Sequence, residues 1–425
     1  MKKLLPLLLF LHIFLWGQSQ LLSPIPIPTM IIVDLDPTPY DDAMLQEALE
    51  KGEIFTFLAK SGKTENPELM AKRQSYMALF NLKGRVYGAA AFRVAFVVPK
   101  KVIGKYAVST THSALAYLLD RGIPFEMEVY SVPDESEESL QKALRDLSSS
   151  GPYDLIVAPV TKRGADYLCN QLLPGKFFIP TLHKNRIDCI NEQVLFGGID
   201  YRKQIETLSY MVESNATTVT VSDRSGLSKM LSETVAEFVD VNDSIVLGKN
   251  GYYKELIEKH EDLNQSTMFL NTPVVKSSLF LSQLTLADFK PILILSTQIN
   301  YSPLLLTLTQ YHDRENMVIA SSIGSADPFL TENVALVRQD IRFNWLNYAT
   351  IAGIDTLFNL KTGEQRLTKE VFVDRSLDYE IRFYEAGLYR FIPKEIPFPE
   401  EEIIEPFEEE EATPYMPLSH AEMTE

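Results

Sequence analysis

The stretch Arg93-Val-Ala-Phe-Val-Val98, closed by Pro99 and followed by a helical pattern from Gly104 to Asp120, decides how the chain is read. A short run rich in β-branched side chains, with no polar alternation, reads as a strand covered on both faces. The pattern behind it places Ala107, Val108, Ala114, Leu115, Leu118 and Leu119 at helical spacing. The same unit then recurs. Phe125–Val132 reads as a second strand, and 134–147 as a helix whose opening acids suit the positive end of its dipole. Tyr153–Val157 is a third strand, ended by Ala158-Pro159. Further strands at 177–181, 194–196, 217–221, 243–247, 268–270, 291–295 and 317–320 alternate with helices at 164–172, 202–212, 225–238 and 277–286. Two more helical stretches fall within 332–360.

Strands separated by helices require crossover connections and therefore a parallel sheet. Right-handed crossovers cover both faces of such a sheet. One sheet holding every strand would be large, and two sheets of about five strands fit domain size better. The expected fold class is α/β and two-lobed, each lobe a parallel sheet flanked by helices. Lobe 1 is expected over 92–200 with return elements from about 330–392, and lobe 2 over 201–330. Before them, 20–91 reads as an N-terminal extension packed on the main body. It opens on Pro24, Pro26 and Pro28 and carries helices near 41–50 and 66–80, capped by Asp41 and Asn66. Towards the far end, 370–374 and 379–384 alternate apolar and polar residues, the pattern of a hairpin joined at Arg375–Asp378. Residues 393–425 read as a disordered acidic tail.

Composition limits the function. The 425 residues are 45% hydrophobic and 23% charged, an ordinary globular balance, with a net charge of -17. From Glu395 to Glu425 there are 11 Glu and no Asp, Lys or Arg, which leaves about -6 for the rest of the chain. Neither part has the basic surface that nucleic acid or anionic lipid attracts. Met1-Lys2-Lys3, the apolar run Leu4–Trp16 and the small residues Gly17-Gln18-Ser19 read as a secretory signal over 1–19 cleaved after Ser19, the alternative being an uncleaved N-terminal anchor. Its apolar core of about 13 residues is shorter than the roughly 20 a membrane span needs. No cysteine lies at the cleavage point and no later run is long enough to span. The chain is therefore expected to be periplasmic and soluble, not a lipoprotein, with no membrane span after cleavage. Its two cysteines, Cys169 and Cys189, allow one disulfide in an oxidising compartment, or else two buried thiols. With six scattered histidines they form no zinc pattern, and no metal or cofactor is expected.

Several phrases, taken in order, resemble the type I periplasmic binding-protein superfamily, which includes amino-acid-binding receptors of ABC transporters and activators of penicillin-binding proteins. They are Val94-Ala-Phe-Val-Val-Pro99, Tyr153-Asp-Leu-Ile-Val-Ala-Pro-Val-Thr161, Phe177-Phe-Ile-Pro180, Phe196-Gly-Gly-Ile-Asp-Tyr-Arg-Lys-Gln204 and Thr217-Val-Thr-Val-Ser-Asp223. The likeness covers about 92–392. It implies a cleft between lobes, lined by loops at the carboxyl ends of strands, where open parallel sheets bind ligands. Lys100, Lys101, Thr161 and His183 would line it from the first lobe, and Ser222 and Asp223 from the second. Thr161 falls where the family places a hydroxyl against a ligand carboxylate. The first loop departs from the family, since Lys100 and Lys101 precede Gly104 where many members have glycine beside the strand; a basic pair there suits an anionic ligand.

No dinucleotide or phosphate-loop fingerprint, nucleophile elbow or His-Glu-x-x-His is present. Ser139-Leu-Gln-Lys142 has the spacing of Ser/Lys acylating enzymes but lacks the accompanying motifs. The chain is not expected to be an enzyme. Glu213-Ser-Asn215-Ala-Thr217, Asp240-Val-Asn242-Asp-Ser244 and Asp262-Leu-Asn264-Gln-Ser266 each place an acid two residues before an Asn-x-Ser/Thr. This resembles the extended sequon of bacterial N-glycosylation, with Asn215, Asn242 and Asn264 as acceptors. Two functions fit: an exported binding protein capturing a small polar molecule for uptake or sensing, or an envelope scaffold that reuses the fold to hold a protein partner. The first is the leading expectation and the second its alternative, which the added 20–91 segment, the acidic tail and the departing first loop favour.

Overall fold

The computed structural model describes residues 32, 34, 36, 38–80, 82 and 92–396. The expected signal segment 1–19 and the chain beyond Ile396 lie outside the described residues. The strands are β1 Phe92–Pro99, β2 Phe125–Val132, β3 Leu155–Val157, β4 Phe177–Ile179, β5 Val194–Phe196, β6 Thr218–Asp223 and β7 Asp243–Leu247. They continue as β8 Thr267–Leu270, β9 Leu293–Ser296, β10 Met317–Ser321, β11 Val371–Val373, β12 Ser376–Asp378, β13 Arg382–Ala386 and β14 Phe391–Lys394. The chain divides into two units. One holds the residues up to Ile199 with Ile323–Tyr379, the other Asp200–Ser322 with the residues from Glu380 onward.

Each unit is built on one sheet, in the order β11-β12-β5-β4-β3-β1-β2 in the first and β14-β13-β10-β9-β8-β6-β7 in the second. Among the strands of the alternating region every pairing is parallel. Burial explains why β1 is apolar but for Arg93 near its start: Phe92 and Val94 to Val98 are all shut from solvent, as a central strand with both faces covered requires. Helix Trp345–Thr362 is buried almost continuously from Leu346 to Phe358. It lies so close to β4 that a Cβ on Gly353 would stand 2.2 Å from the Phe178 ring, and one on Gly197 would meet the same ring at 2.4 Å. Its buried Asp355 is fully supplied with donors, taking the Tyr117 hydroxyl at 2.8 Å, the Leu367 and Thr368 amides and the Thr368 hydroxyl.

The segment before β1 forms helices Asp42–Glu50, Ile54–Lys60 and Pro67–Leu79 around a small core of Leu45, Ala48, Phe57, Leu58 and Leu69. Asp41 caps the first by accepting from Met44 N, and Asn66 caps the third through Glu68 N. The helix expected from 134 starts later, at Glu137, because Ser136 is its cap. Asp134 instead accepts from the Ser136 side chain and amide and from the Ser139 hydroxyl, which together hold its carboxyl down at about 2.

Three expectations are corrected. The two halves of the proposed 370–384 hairpin pair in different sheets. β11 and β12 turn back on each other through Asp374 and Arg375, both at positive φ (44° and 66°), a two-residue left-handed turn with no glycine or asparagine to signal it. β13 leaves for the second sheet, where it pairs antiparallel with β10 and with β14, so the elements returning to the first unit stop at Tyr379 rather than near 392. The tail also starts later than 393. Pro393 and Lys394 complete β14, where proline is tolerated because the strand is an edge, and Ile396 is buried in the second unit's core. Helices Lys254–Lys259 and Pro303–Leu308 were not anticipated; each is a single short element without a full apolar period.

Cys169, at the end of helix Lys162–Cys169, is joined in a disulfide to Cys189 in the loop before β5. The Arg375 guanidinium donates to the carbonyls of Cys189 and Asn191, fixing that loop from its other side.

Candidate functional site

The carboxyl ends of parallel strands present loop residues and helix N-termini together, so the candidate positions are built there. In the first unit β1 runs straight into helix Lys100–Ile103, held by Lys101 N donating to Pro133 O at 3.0 Å. Both lysine side chains point into solvent. After β4, His183 is half-buried and caps the turn Lys184–Arg186 by accepting from Asn185 N at 3.3 Å.

Thr161 does head a helix, Lys162–Cys169, as expected of a residue facing a carboxylate, but the carboxylate is the chain's own. Glu135, in the loop after β2 and only 4% exposed, accepts from Thr161 N at 2.7 Å, from Gly164 N at 3.1 Å and from the Thr161 hydroxyl. These are the orphan amides of the helix start, where the macrodipole favours an anion. Gly164 makes the approach possible, since a Cβ there would meet Glu135 Cδ at 3.0 Å and Val160 Cβ at 2.8 Å.

In the second unit Ser222 and Asp223 end β6. The Ser222 hydroxyl donates weakly to Ile245 O at 3.4 Å. Asp223 is 5% exposed, accepts from Ser225 N at 2.8 Å and is ion-paired with Lys276 of helix Val274–Leu286. Burial pushes its carboxyl up, but the Lys276 ammonium and the Ser225 hydrogen bonds outweigh that and hold it at about 2.

Beside Asp223 lies a buried polar set that the sequence reading missed. Asn271 and Thr272 follow β8, Ser296 ends β9, Thr297, Gln298 and Asn300 follow it, and Ser322 follows β10. Gln204, of helix Tyr201–Ser209, accepts from Gln298 N at 2.9 Å and donates to the Ser322 hydroxyl at 2.7 Å, while Gln298 Oε1 accepts from Ser322 N at 2.8 Å. Asn300 Nδ2 donates to Ser296 Oγ at 2.8 Å and to Thr272 O at 3.2 Å. Four atoms of the set, Asn271 Oδ1, Thr297 Oγ1, Gln298 Nε2 and Asn300 Oδ1, are buried without a hydrogen-bond partner among the described residues. The signal was present in the sequence: three successive apolar strands each pass into a run of Ser, Thr, Asn or Gln.

A recess of about 680 Å³ lies elsewhere on this unit, along helix Val274–Leu286, lined by Asn250, Tyr252, Lys254, Leu279, Gln283 and Leu286 among others. It is open, with Tyr252 and Leu286 standing largely in solvent. Among the described residues no group of three His, Cys, Asp or Glu is placed to hold a metal ion. Nor is any helix among them long and apolar enough to cross a membrane.

No family model matches the chain, and no curated protein matches it by sequence. Solved structures do match by shape. A branched-chain amino acid ABC transporter protein from Thermus thermophilus with bound valine superposes at a TM-score of 0.53 and 14% identity, over 72% of this chain and 96% of that one. A putative branched-chain amino acid ABC transporter protein from Rhodospirillum rubrum gives 0.51 and 14%, over 71% and 99%. A solute-binding protein from R. palustris in complex with 4-hydroxybenzoate gives 0.51 and 10%, over 72% and 96%. With two mostly parallel sheets in this order, the chain has the type I periplasmic binding-protein fold.

Proposed function

We propose that the chain is an exported, non-catalytic binding protein whose second sheet takes a small, uncharged polar molecule at its carboxyl edge. The observation that carries this is the set of four buried, unpartnered hydrogen-bonding atoms on Asn271, Thr297, Gln298 and Asn300. Each costs about 1–3 kcal/mol while unsatisfied, and a ligand admitted by a local opening of the loops after β8 and β9, which otherwise shut these atoms from solvent, recovers that cost by pairing them. Valine and 4-hydroxybenzoate, bound by two of the similar structures, both carry a carboxylate. Here the corresponding kind of anion site, a helix N-terminus with a threonine hydroxyl, is filled by Glu135. The Asp223 carboxyl is likewise committed to Lys276. Sugars, polyols and neutral amides are therefore the expected ligand class, ahead of free amino acids or inorganic anions. The disulfide supports export, since such bonds persist in oxidising compartments.

A thermal-shift screen of the full chain tests this, because a ligand that binds only the folded state raises its melting temperature by mass action. A neutral polar compound is expected to score, and Asn271→Ala or Gln298→Ala to abolish its shift. Response to carboxylates alone would overturn the ligand class.

The second reading, an envelope scaffold, draws on one observation of its own. Helices 42–79 form a separate small core ahead of β1, an addition a small-ligand site does not need. Silence across the whole screen is the outcome that would favour it.

A further inference from the structure

The three acid-x-Asn-x-Ser/Thr segments lie far apart in the sequence, and the fold brings them to one place. Asn215 lies in the loop entering β6, Asn242 immediately precedes β7, and Asn264 lies in the loop entering β8. In the second sheet β8, β6 and β7 are adjacent and parallel, so all three loops meet at its amino edge, the end opposite the polar set. Hydrogen bonds stitch them together: Thr218 N donates to Asn242 Oδ1 at 2.7 Å and Thr267 N to Thr217 O at 2.9 Å.

Exposure separates these sites from the remaining Asn-x-Ser/Thr of the chain. Asn215, Asn242 and Asn264 are all exposed, as are their acids Glu213, Asp240 and Asp262. Asn300-Tyr301-Ser302 has Gln298 in place of the acid, and Asn300 is 0% exposed. Where the asparagines of the first group are engaged, only the oxygen is used: Asn242 Oδ1 accepts from Thr218 N, and Asn264 Oδ1 from Lys290 N. Among the described residues no hydrogen bond engages the amide nitrogen of these asparagines, the atom a glycan is attached to, and all three residues are exposed.

We infer that the amino edge of the second sheet is a glycan-bearing surface, with Asn215 as its principal acceptor in the folded protein. An N-linked acceptor needs an exposed asparagine with a reachable hydroxyl two residues on. Asn215 lies exposed in a turn with Thr217 half-buried and neither side chain committed among the described residues, whereas the Asn242 carboxamide is held by Thr218 N and the Ser244 hydroxyl shares a hydrogen bond with Thr220 Oγ1. Asn264 fails the second condition, because Ser266 is fully buried and donates its hydroxyl to Leu263 O. The co-substrate is a lipid-diphosphate-linked oligosaccharide. Asn215 Nδ2 forms a bond to the anomeric carbon, the bond from that carbon to the diphosphate oxygen breaks, and the amide proton leaves as the lipid diphosphate departs. The placement is independent of the ligand reading, and it leaves the opposite, polar edge of the sheet uncovered.

The test is intact-mass and peptide mapping of the full chain purified from its own host. A glycan mass is expected on the peptide carrying Asn215, with Asn264 occupied less and Asn300 bare. Asn215→Gln and Glu213→Ala should each remove that mass, and Thr217→Ser should keep it, with melting temperatures unchanged in all three. An unmodified intact mass would overturn the inference. So would a glycan that survives Glu213→Ala, or one on Asn300.

Discussion

Glu135 shows how one side chain decides what a site can bind. Its carboxylate satisfies two amides and a hydroxyl at the start of helix Lys162–Cys169, at 4% exposure. Replacing it with alanine is expected to cost about 2 kcal/mol, the loss of a charged cap, measured by chemical denaturation. The emptied helix start should then accept an anion from solution, so sulfate should raise the melting temperature of Glu135→Ala more than that of the parent. Equal shifts would show that the amides are satisfied by the protein in some other way. Asp223 makes a complementary prediction in pH. Its carboxyl is held at about 2 against an ordinary 3.8, so the folded state binds its proton more weakly than the unfolded chain. The resulting stabilisation, of order 2 kcal/mol, is complete above about pH 4 and is lost as pH falls towards 2. Asp223→Asn should flatten that part of an acid-denaturation curve; an unchanged curve would mean that the Lys276 pair does not form in solution. Neither residue's state was legible beforehand. Glu135 is one acid in an acidic stretch, and only the return of the chain 26 residues later brings Thr161 against it.

Elements were easier to read than their ends. The alternating strands and helices of 92–321 were legible because a buried parallel strand leaves an apolar run, whereas the caps Ser136 and Asp200 were passed over and the helix starts misplaced by a few residues. The closing region was not. Its strands are three to five residues long, and their pairing depends on a turn made by Asp374 and Arg375 in a conformation those residues seldom adopt. The buried polar ends of β8, β9 and β10 were passed over because serines and asparagines after a strand ordinarily read as solvated turns. The disulfide belongs to this scale as well. It closes a loop with a sequence separation of 20, and reducing it should lower stability by about 3 kcal/mol in the chain-entropy model. A midpoint of denaturation unmoved by reductant would mean that the Arg375 contacts hold the loop without it.

On the scale of the whole molecule, each unit is assembled from segments distant in sequence, and the last strands are shared out between them. β11 and β12 finish the first sheet, and β13 and β14 finish the second. A chain ending after Ile396 should melt within about 2 °C of the full protein, since it keeps both sheets and the buried Ile396. One ending after Tyr379 should aggregate, because β10, a buried apolar strand paired on one side with β9, loses β13 on the other and becomes an open edge. An intact melting transition in the shorter chain would show that β13 and β14 are dispensable. The placement also has a consequence for biosynthesis. A ribosome that has reached residue 370 has completed neither sheet, so each unit receives its last edge strands only when almost all of this sequence has been made. Until those strands emerge, a nascent chain of this design keeps an unpaired sheet edge in both units.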